Sequence, residues 1–203
     1  MVPKLLPIYT YNHPVLRQKS IPVEELTPEL KQFCVNLLYT MFQCNGVGLA
    51  ANQIGNPYSI IAADVYTDNR TKRGIILINP EITWSDDISV YGNEGCLSFP
   101  GVSVEVKRSR NITVKYRDEN FDEQAYTTNE PYFSWDENSG TEEPKLNPAD
   151  TLLSRVIQHE IGHLQGELLI DYVPQPLDHE LQRHIDKIAK GHVKTKYNTI
   201  NSI

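Results

Sequence analysis

The segment VIQHEIGHLQGELLID, residues 156–171, sets His159 and His163 four positions apart, with Glu160 directly after the first histidine. On a helix that spacing projects both imidazoles from one face, where they can share a metal ion. A glutamate between them is poised to take a proton from water activated by that metal. Two ligands do not hold a metal, so the class of site turns on the third. One protease pattern, HExxHxxGxxH, runs on to another histidine. Gly166 fits it, but the histidine position is Leu169. In another pattern a downstream glutamate completes the site. Glu180 stands at roughly the right remove, in a stretch that also reads as a solvated helical face. Cys96, in NEGCLSFPG, is the better candidate, because a thiolate suits a tetrahedral Cys-His-His site with one open position. Cys34 and Cys44, on or near an earlier helical stretch, read as ordinary buried thiols.

The elements that position these residues are legible from periodicity. Leu152 and Val156 extend the histidine stripe towards the helix N-terminus, and Leu153, Ile157, Glu160 and Leu164 form the adjacent stripe. The metal face is therefore expected among apolar residues, which exclude water and strengthen electrostatics. Arg155, Gln158, Gly162 and Gln165 are expected on a more polar side. Asn147 is the candidate N-cap and Pro148 the first helical residue. An earlier helix is signalled by TPELKQFCVNLLYTMFQC, with Thr27 as N-cap, Pro28 in the first turn, and Leu30, Phe33, Leu37, Leu38 and Met41 at helical spacing. GVGLAANQIGNP follows as a glycine-bounded loop. YSIIAADV, GIILINPEI, ISVYGNEGCLSF, VSVEVKR and NITVKYRD read as strands, several with the alternation of half-buried antiparallel pairs.

Residues 119–147 are acidic and polar, and an inserted hairpin or loop on the surface is expected there, with DENSGTEEP as a solvated loop. Tyr126, Tyr132, Phe133 and Trp135 suggest that parts of it pack back onto the body. LDHELQRHIDKIAK reads as a further helix and residues 191–203 as a polar C-terminal tail. Strand runs between helices without regular βαβ alternation argue for an α+β fold, as one domain over residues 1–190.

Composition narrows the function classes. Hydrophobic residues make up 39% of the 203 and charged residues 22%, as in an ordinary globular chain. The net charge of -7 comes without the clustered basic footprint of a nucleic-acid or membrane-surface protein. No apolar run is long enough to span a bilayer. MVPKLLPIYT is too short, and too broken by Pro3 and Pro7, for a signal peptide. Three widely spaced cysteines read as reduced thiols, and a cytoplasmic protein is expected.

Three segments, GVGLAANQ at 46–53, EGCLS at 94–98 and QHEIGHLQG at 158–166, resemble in order and spacing the three motifs of peptide deformylases. The resemblance extends through NHPVLRQKS, INP at 78–80 and LLIDYV at 168–173, and is weakest over 119–147 and in the tail. It implies an α+β fold with antiparallel β-sheets packed around a central metal-binding helix. It also implies removal of the formyl group from the N-terminal formyl-methionine of new polypeptides, with release of formate. By that resemblance Cys96, His159 and His163 hold one divalent metal ion, Fe²⁺ in the cell, which Ni²⁺, Co²⁺ or Zn²⁺ can replace. Glu160 would move the protons, and the Gln53 amide and Leu97 N–H would meet the oxyanion. Gly46, Val47, Gly48, Gly95, Leu152 and Val156 would contact substrate, Val47 by pairing with its main chain as with an added strand. Glu94 would support the cysteine loop. The implied partners are N-formylmethionyl nascent peptides near the ribosome, with no specific nucleic acid and no membrane, and the chain is expected to be a monomer.

The family usually carries an aspartate just before the second histidine, where this chain has Gly162. Arg108 is the expected partner of the missing carboxylate, so Gly162→Asp is expected to restore a charge pair. Two other readings stand beside this one. The first is a peptidase that cuts internal bonds with Glu180 as third ligand, against which Cys96 in its motif weighs. The second is a metal-bound protein that recognises N-termini without turnover, against which Glu160 and Gln53 weigh.

Overall fold

A computed structural model describes residues 2–66, 72–128, 132–136, 141–145 and 148–201, with side chains over 2–64, 74–128 and 152–201. In chain order the regular elements are β1 (Ile8–Tyr9), α1 (Pro28–Gln43), β2 (Gly48–Ala50), β3 (Ile60–Tyr66), β4 (Lys72–Ser85), β5 (Ser89–Cys96), β6 (Phe99–Ser109), β7 (Ile112–Arg117), β8 (Glu123–Thr127), β9 (Tyr132–Asp136), β10 (Thr141–Lys145), α2 (Pro148–Leu164), α3 (His179–Ala189) and β11 (Thr199–Ile200).

The central layer follows from a strand buried on both faces. Ile60 and Ala62 of β3 join the cluster of Leu37 and Met41 from α1. Ile61 and Ala63 join the cluster of Leu153, Val156 and Ile157 from α2. The sheet, in the order β2-β3-β4-β7-β8, is therefore sandwiched between two helices. The β5–β6 hairpin covers α2 from another side, and its Val102, Val104 and Val106 pack with Leu169, Ile185 and Ile188 in a third cluster. Because α2 meets protein on several sides, Gly162 is buried, Arg155 and Gln158 are partly buried, and Gln165 is exposed. The polar side expected for this helix is thus largely interior.

Capping fixes the helix ends. Thr27 accepts from the Leu30 N–H, and Pro28 opens α1 as expected. The candidate cap Asn147 lies outside the described residues, as do the side chains of Tyr132, Phe133 and Trp135. α2 stops where Gly166 turns left-handed at φ +80, with the Gly166 N–H bonded to His163 O and the Glu167 N–H to Gly162 O. A side chain at Gly166 would meet the Arg17 carbonyl oxygen at 2.5 Å.

Three expectations change. GVGLAANQIGNP is not a loop: it supplies edge strand β2 and a 3₁₀ turn over Ala51–Ile54, because Gly48–Ala50 pair with Ile61–Ala63. Within 119–147, β8 extends the main sheet, and β9 pairs with β10 as a hairpin. Part of the DENSGTEEP stretch is thereby strand rather than loop. Finally, the polar C-terminal segment is not free, since β11 pairs in parallel with β1.

Arg17 joins the start of the fold to the segment after α2, reaching Gly166 O and forming a two-pronged pair with Asp171. Burial would raise the Asp171 carboxyl, but Arg17 and the Leu168 N–H hold it below its ordinary value. A folded-state value below the unfolded one stabilises above the unfolded pKa of about 3.9, and this is lost as pH falls. The pair is half exposed, so Asp171→Asn should lower stability by about 0.2–1 kcal/mol at pH 7 and by less at pH 3. Urea unfolding of both proteins at the two pH values checks this.

Candidate metal centre

The bonding pattern of α2 brings His159 and His163 to one face, with ring centroids 4.9 Å apart. The third group arrives from β5. Alternation sets Glu94 and Cys96 on the same face, and the register slips between Gly95 and Cys96. Such an irregularity re-aims a side chain. Cys96 Sγ lies 3.2 Å from His163 Nε2, and the ligand atoms of Cys96, His159 and His163 all fall within 4.8 Å of one another. Tetrahedral metal–sulfur and metal–nitrogen bonds of about 2.3 and 2.0 Å would set such atoms roughly 3.5 Å apart. The donor set therefore fits a divalent ion. Glu180, the alternative third ligand, is exposed on α3 and is not part of this group.

Behind the ligands lies a buried charge network. Glu94, 5% exposed, accepts from His159 Nδ1 at 2.9 Å, which leaves His159 Nε2 to face the ligand cluster. The same carboxylate accepts from Arg108 at 3.0 and 2.9 Å and from Arg155 at 2.7 Å. Burial alone would raise it, but the bonds from His159 and Arg108 hold it at about 2. Arg155 also donates to the carbonyls of Val90 and Val106, and it fits because Gly92 has no side chain to meet its guanidinium. The sequence pattern alone puts Arg155 on a polar face. The signal that could have found it is a cation one helical turn before a candidate ligand histidine.

Glu160 is buried beside the ligands, and burial pushes its carboxyl up to about 7 against the pull of His159. Among the described residues its Oε2 has no hydrogen-bond partner, so one oxygen is unengaged. A side chain at Gly48 would collide with Glu160 Oε1 and Val156, which explains a glycine there. Burial, with His159 adding to it, pushes His163 well below its ordinary value and so favours the neutral imidazole a ligand needs. Gln53 is almost fully buried. Its Oε1 accepts from Ala50 N–H at 2.8 Å, while Nε2 faces Ser98 Oγ at 3.1 Å and Cys96 Sγ at 3.4 Å.

A cavity of about 520 Å³ opens in front of these groups. Gly46, Val47, Gly48, Gly95, Leu97, Leu152 and Val156 all line it, with Gln53, Glu94, Cys96, His159 and Glu160. Val47 and Leu152, each 37% exposed, are apolar surface at its mouth. The Val47 carbonyl accepts from the Asp64 N–H at 2.8 Å, and β2 ends the sheet, so its outer edge is open. Cys34 and Cys44 are buried free thiols, as read from sequence, although Cys44 also reaches the cavity wall. Lys194, Thr195, Lys196 and Tyr197 of the C-terminal segment complete the wall, which nothing in their polar sequence announces.

The family model for polypeptide deformylase matches residues 5–178. A peptide deformylase of Chlorobaculum parvum is 34% identical over 199 residues, covering 95% of this chain and 92% of its own. One from Rhizobium meliloti is 36% identical over 185 residues, covering 91% and 94%. Among solved structures, the peptide deformylase of Thermus thermophilus aligns with a TM-score of 0.73 at 32% identity, over 93% of this chain and 99% of that one.

Gly162 has a different role from the one expected. Arg108 is already engaged by Glu94, and its guanidinium lies 4.2 Å from the centroid of the Tyr172 ring. The Tyr172 hydroxyl donates to Glu167. A Cβ at Gly162 would stand 3.1 Å from that hydroxyl and 3.2 Å from Glu167 Oε2. An aspartate would bring a second carboxylate against Glu167. Gly162→Asp should therefore destabilise by about 1–3 kcal/mol, with Glu167→Gln recovering part of the loss. Chemical denaturation of the single and double variants, at equal metal content, tests the sign.

Proposed function

The chain belongs to the polypeptide deformylase family, metal-dependent hydrolases that take the formyl group from N-formylmethionyl nascent peptides and release formate, and from that premise we propose how its residues divide the work. The observation that carries the assignment is the convergence of Cys96, His159 and His163 beside the unengaged oxygen of Glu160. These three residues hold the metal, which we take to be Fe²⁺ in the cell, with Ni²⁺, Co²⁺ or Zn²⁺ as substitutes. When bound, the ion acts as a Lewis acid that polarises the formyl carbonyl and lowers the pKa of water.

Glu160 accepts the proton of the attacking water through Oε2 and returns it to the leaving amine. The Gln53 Nε2 group and the Leu97 N–H donate to the oxygen on which negative charge grows. Glu94 holds His159 in the tautomer that leaves Nε2 for the metal, while Arg108 and Arg155 hold Glu94. Val156, Leu152 and Val47 receive the methionine side chain, and Gly46, Gly48 and Gly95 let the substrate backbone come close. The open edge of β2 supplies main-chain pairing.

We further read the protein as a cytoplasmic monomer acting near the ribosome, where formylated N-termini emerge. Among the described residues no helix is long and apolar enough to cross a membrane.

Formate release from a formyl-methionyl peptide, by protein prepared anaerobically and loaded with Fe²⁺ or Ni²⁺, is the direct assay. Activity is expected in the wild type, and Glu160→Ala should lose about 10²–10⁴-fold in kcat while keeping its metal. A fully loaded wild type that releases no formate would contradict the reading, as would a Glu160→Ala variant with undiminished turnover.

A further inference from the structure

We propose that Tyr197 is a positioning residue for the deformylation reaction, holding the turn after Cys96 from the C-terminal segment. The inference rests on the role given to the Leu97 N–H above. The Tyr197 hydroxyl donates to the Leu97 carbonyl oxygen over 2.8 Å. The same side chain lines the catalytic cavity and packs against the cluster of Leu37, Met41 and Cys44.

The turn is closed by the pairing of Cys96 with Phe99 and has two further ties. The Ser98 carbonyl accepts from the Tyr11 N–H at 2.9 Å, and Ser98 Oγ accepts from Gln53 Nε2 at 3.1 Å. Neither reaches the Leu97 carbonyl. Leu97 connects two rigid peptide planes through its two soft dihedrals. One plane carries its N–H, and the other carries the carbonyl that Tyr197 holds. Releasing that carbonyl frees the second plane to rotate, and the N–H plane follows. A donor aimed at charge that develops during reaction matters more in the transition state than in the bound substrate.

Tyr197 is itself held from outside the site. The Asn198 carbonyl accepts from the Ile8 N–H at 2.9 Å and the Ile200 carbonyl from the Thr10 N–H at 3.0 Å. The Thr10 hydroxyl also bonds the Asn201 side chain. Pairing of β1 with β11 thus anchors the strand that follows Tyr197, and Tyr11, a few residues past Ile8, ties the same turn from the other side.

The test compares wild type with Tyr197→Phe in the whole 203-residue, Ni²⁺-loaded chain, since phenylalanine keeps the ring packing and removes the donor. For formate release from a formyl-methionyl tripeptide, kcat should fall about 10-fold while KM moves less than about twofold. Without substrate, backbone amides around Leu97 should exchange faster, read by mass spectrometry at unchanged metal content. Wild-type kcat with wild-type exchange overturns the proposal. So does a loss confined to KM or explained by missing metal. A wild type that releases no formate instead removes the deformylase reading, and the exchange measurement still decides whether Tyr197 holds the turn.

Discussion

One buried carboxylate couples the two halves of this site. Glu94 sits on the β5–β6 hairpin, yet His159 and Arg155, two of the three cationic or ring groups it accepts from, belong to α2. Such a group is costly to bury alone, and its attraction to buried partners offsets that cost when each lone pair is used. Here the two oxygens take four contacts between them. The arrangement is therefore all-or-nothing. If the hairpin moves away from the helix, Arg155 and His159 lose their acceptor together, and Glu94 and Arg108 leave as a pair. That dependence keeps Cys96, which is on the hairpin, within reach of two histidines on the helix, and so the relative placement of the three candidate ligands is inherited from a charge network behind them.

How much of this is legible in the sequence follows the range of each interaction. The pairing of His159 with His163 is local, set by the period of one helix, and reads directly. Cys96 needs a strand from a distant part of the chain, and alternation together with the surrounding motif is enough to suggest it. The sheet faces are equally clear, because the apolar run through Ile60–Ala63 is buried on both sides. Arg155 misleads because a helical wheel assigns polarity by residue type. It takes the hairpin, closing over the helix, to make that face interior. β2 reads as a loop because a three-residue strand rich in small side chains carries little periodic signal, and its partner in β3 defines it.

The C-terminal segment illustrates the same limit more sharply. Its two-residue strand β11 lies in a polar stretch and pairs with an equally short β1 at the opposite end of the chain. Each strand is too short to show a periodic pattern, and both exist because the other is there. What the pairing gains is closure. The N-terminal strand leads to Tyr11 and the C-terminal strand follows Tyr197, and the two residues grip neighbouring carbonyls of one turn. A chain end that composition marks as solvated thereby becomes part of the cavity wall.

Gly162 shows how a departure inside a motif can be absorbed without disturbing the ligands. A glycine in a helix interior costs about 1 kcal/mol relative to alanine. In exchange, the space above it admits the Tyr172 hydroxyl, whose ring can then lie against Arg108. A guanidinium held between an aromatic face and a carboxylate has little freedom to tilt, and Arg108 must not tilt if it is to present two donors to Glu94. Glu167 completes the set by accepting from the Tyr172 hydroxyl, and the left-handed turn at Gly166 is what folds Glu167 back over the helix. The negative charge on this side of the network therefore stands just after the helix rather than within it, and the orientation of His159 depends on a turn at Gly166, beyond both histidines of the motif.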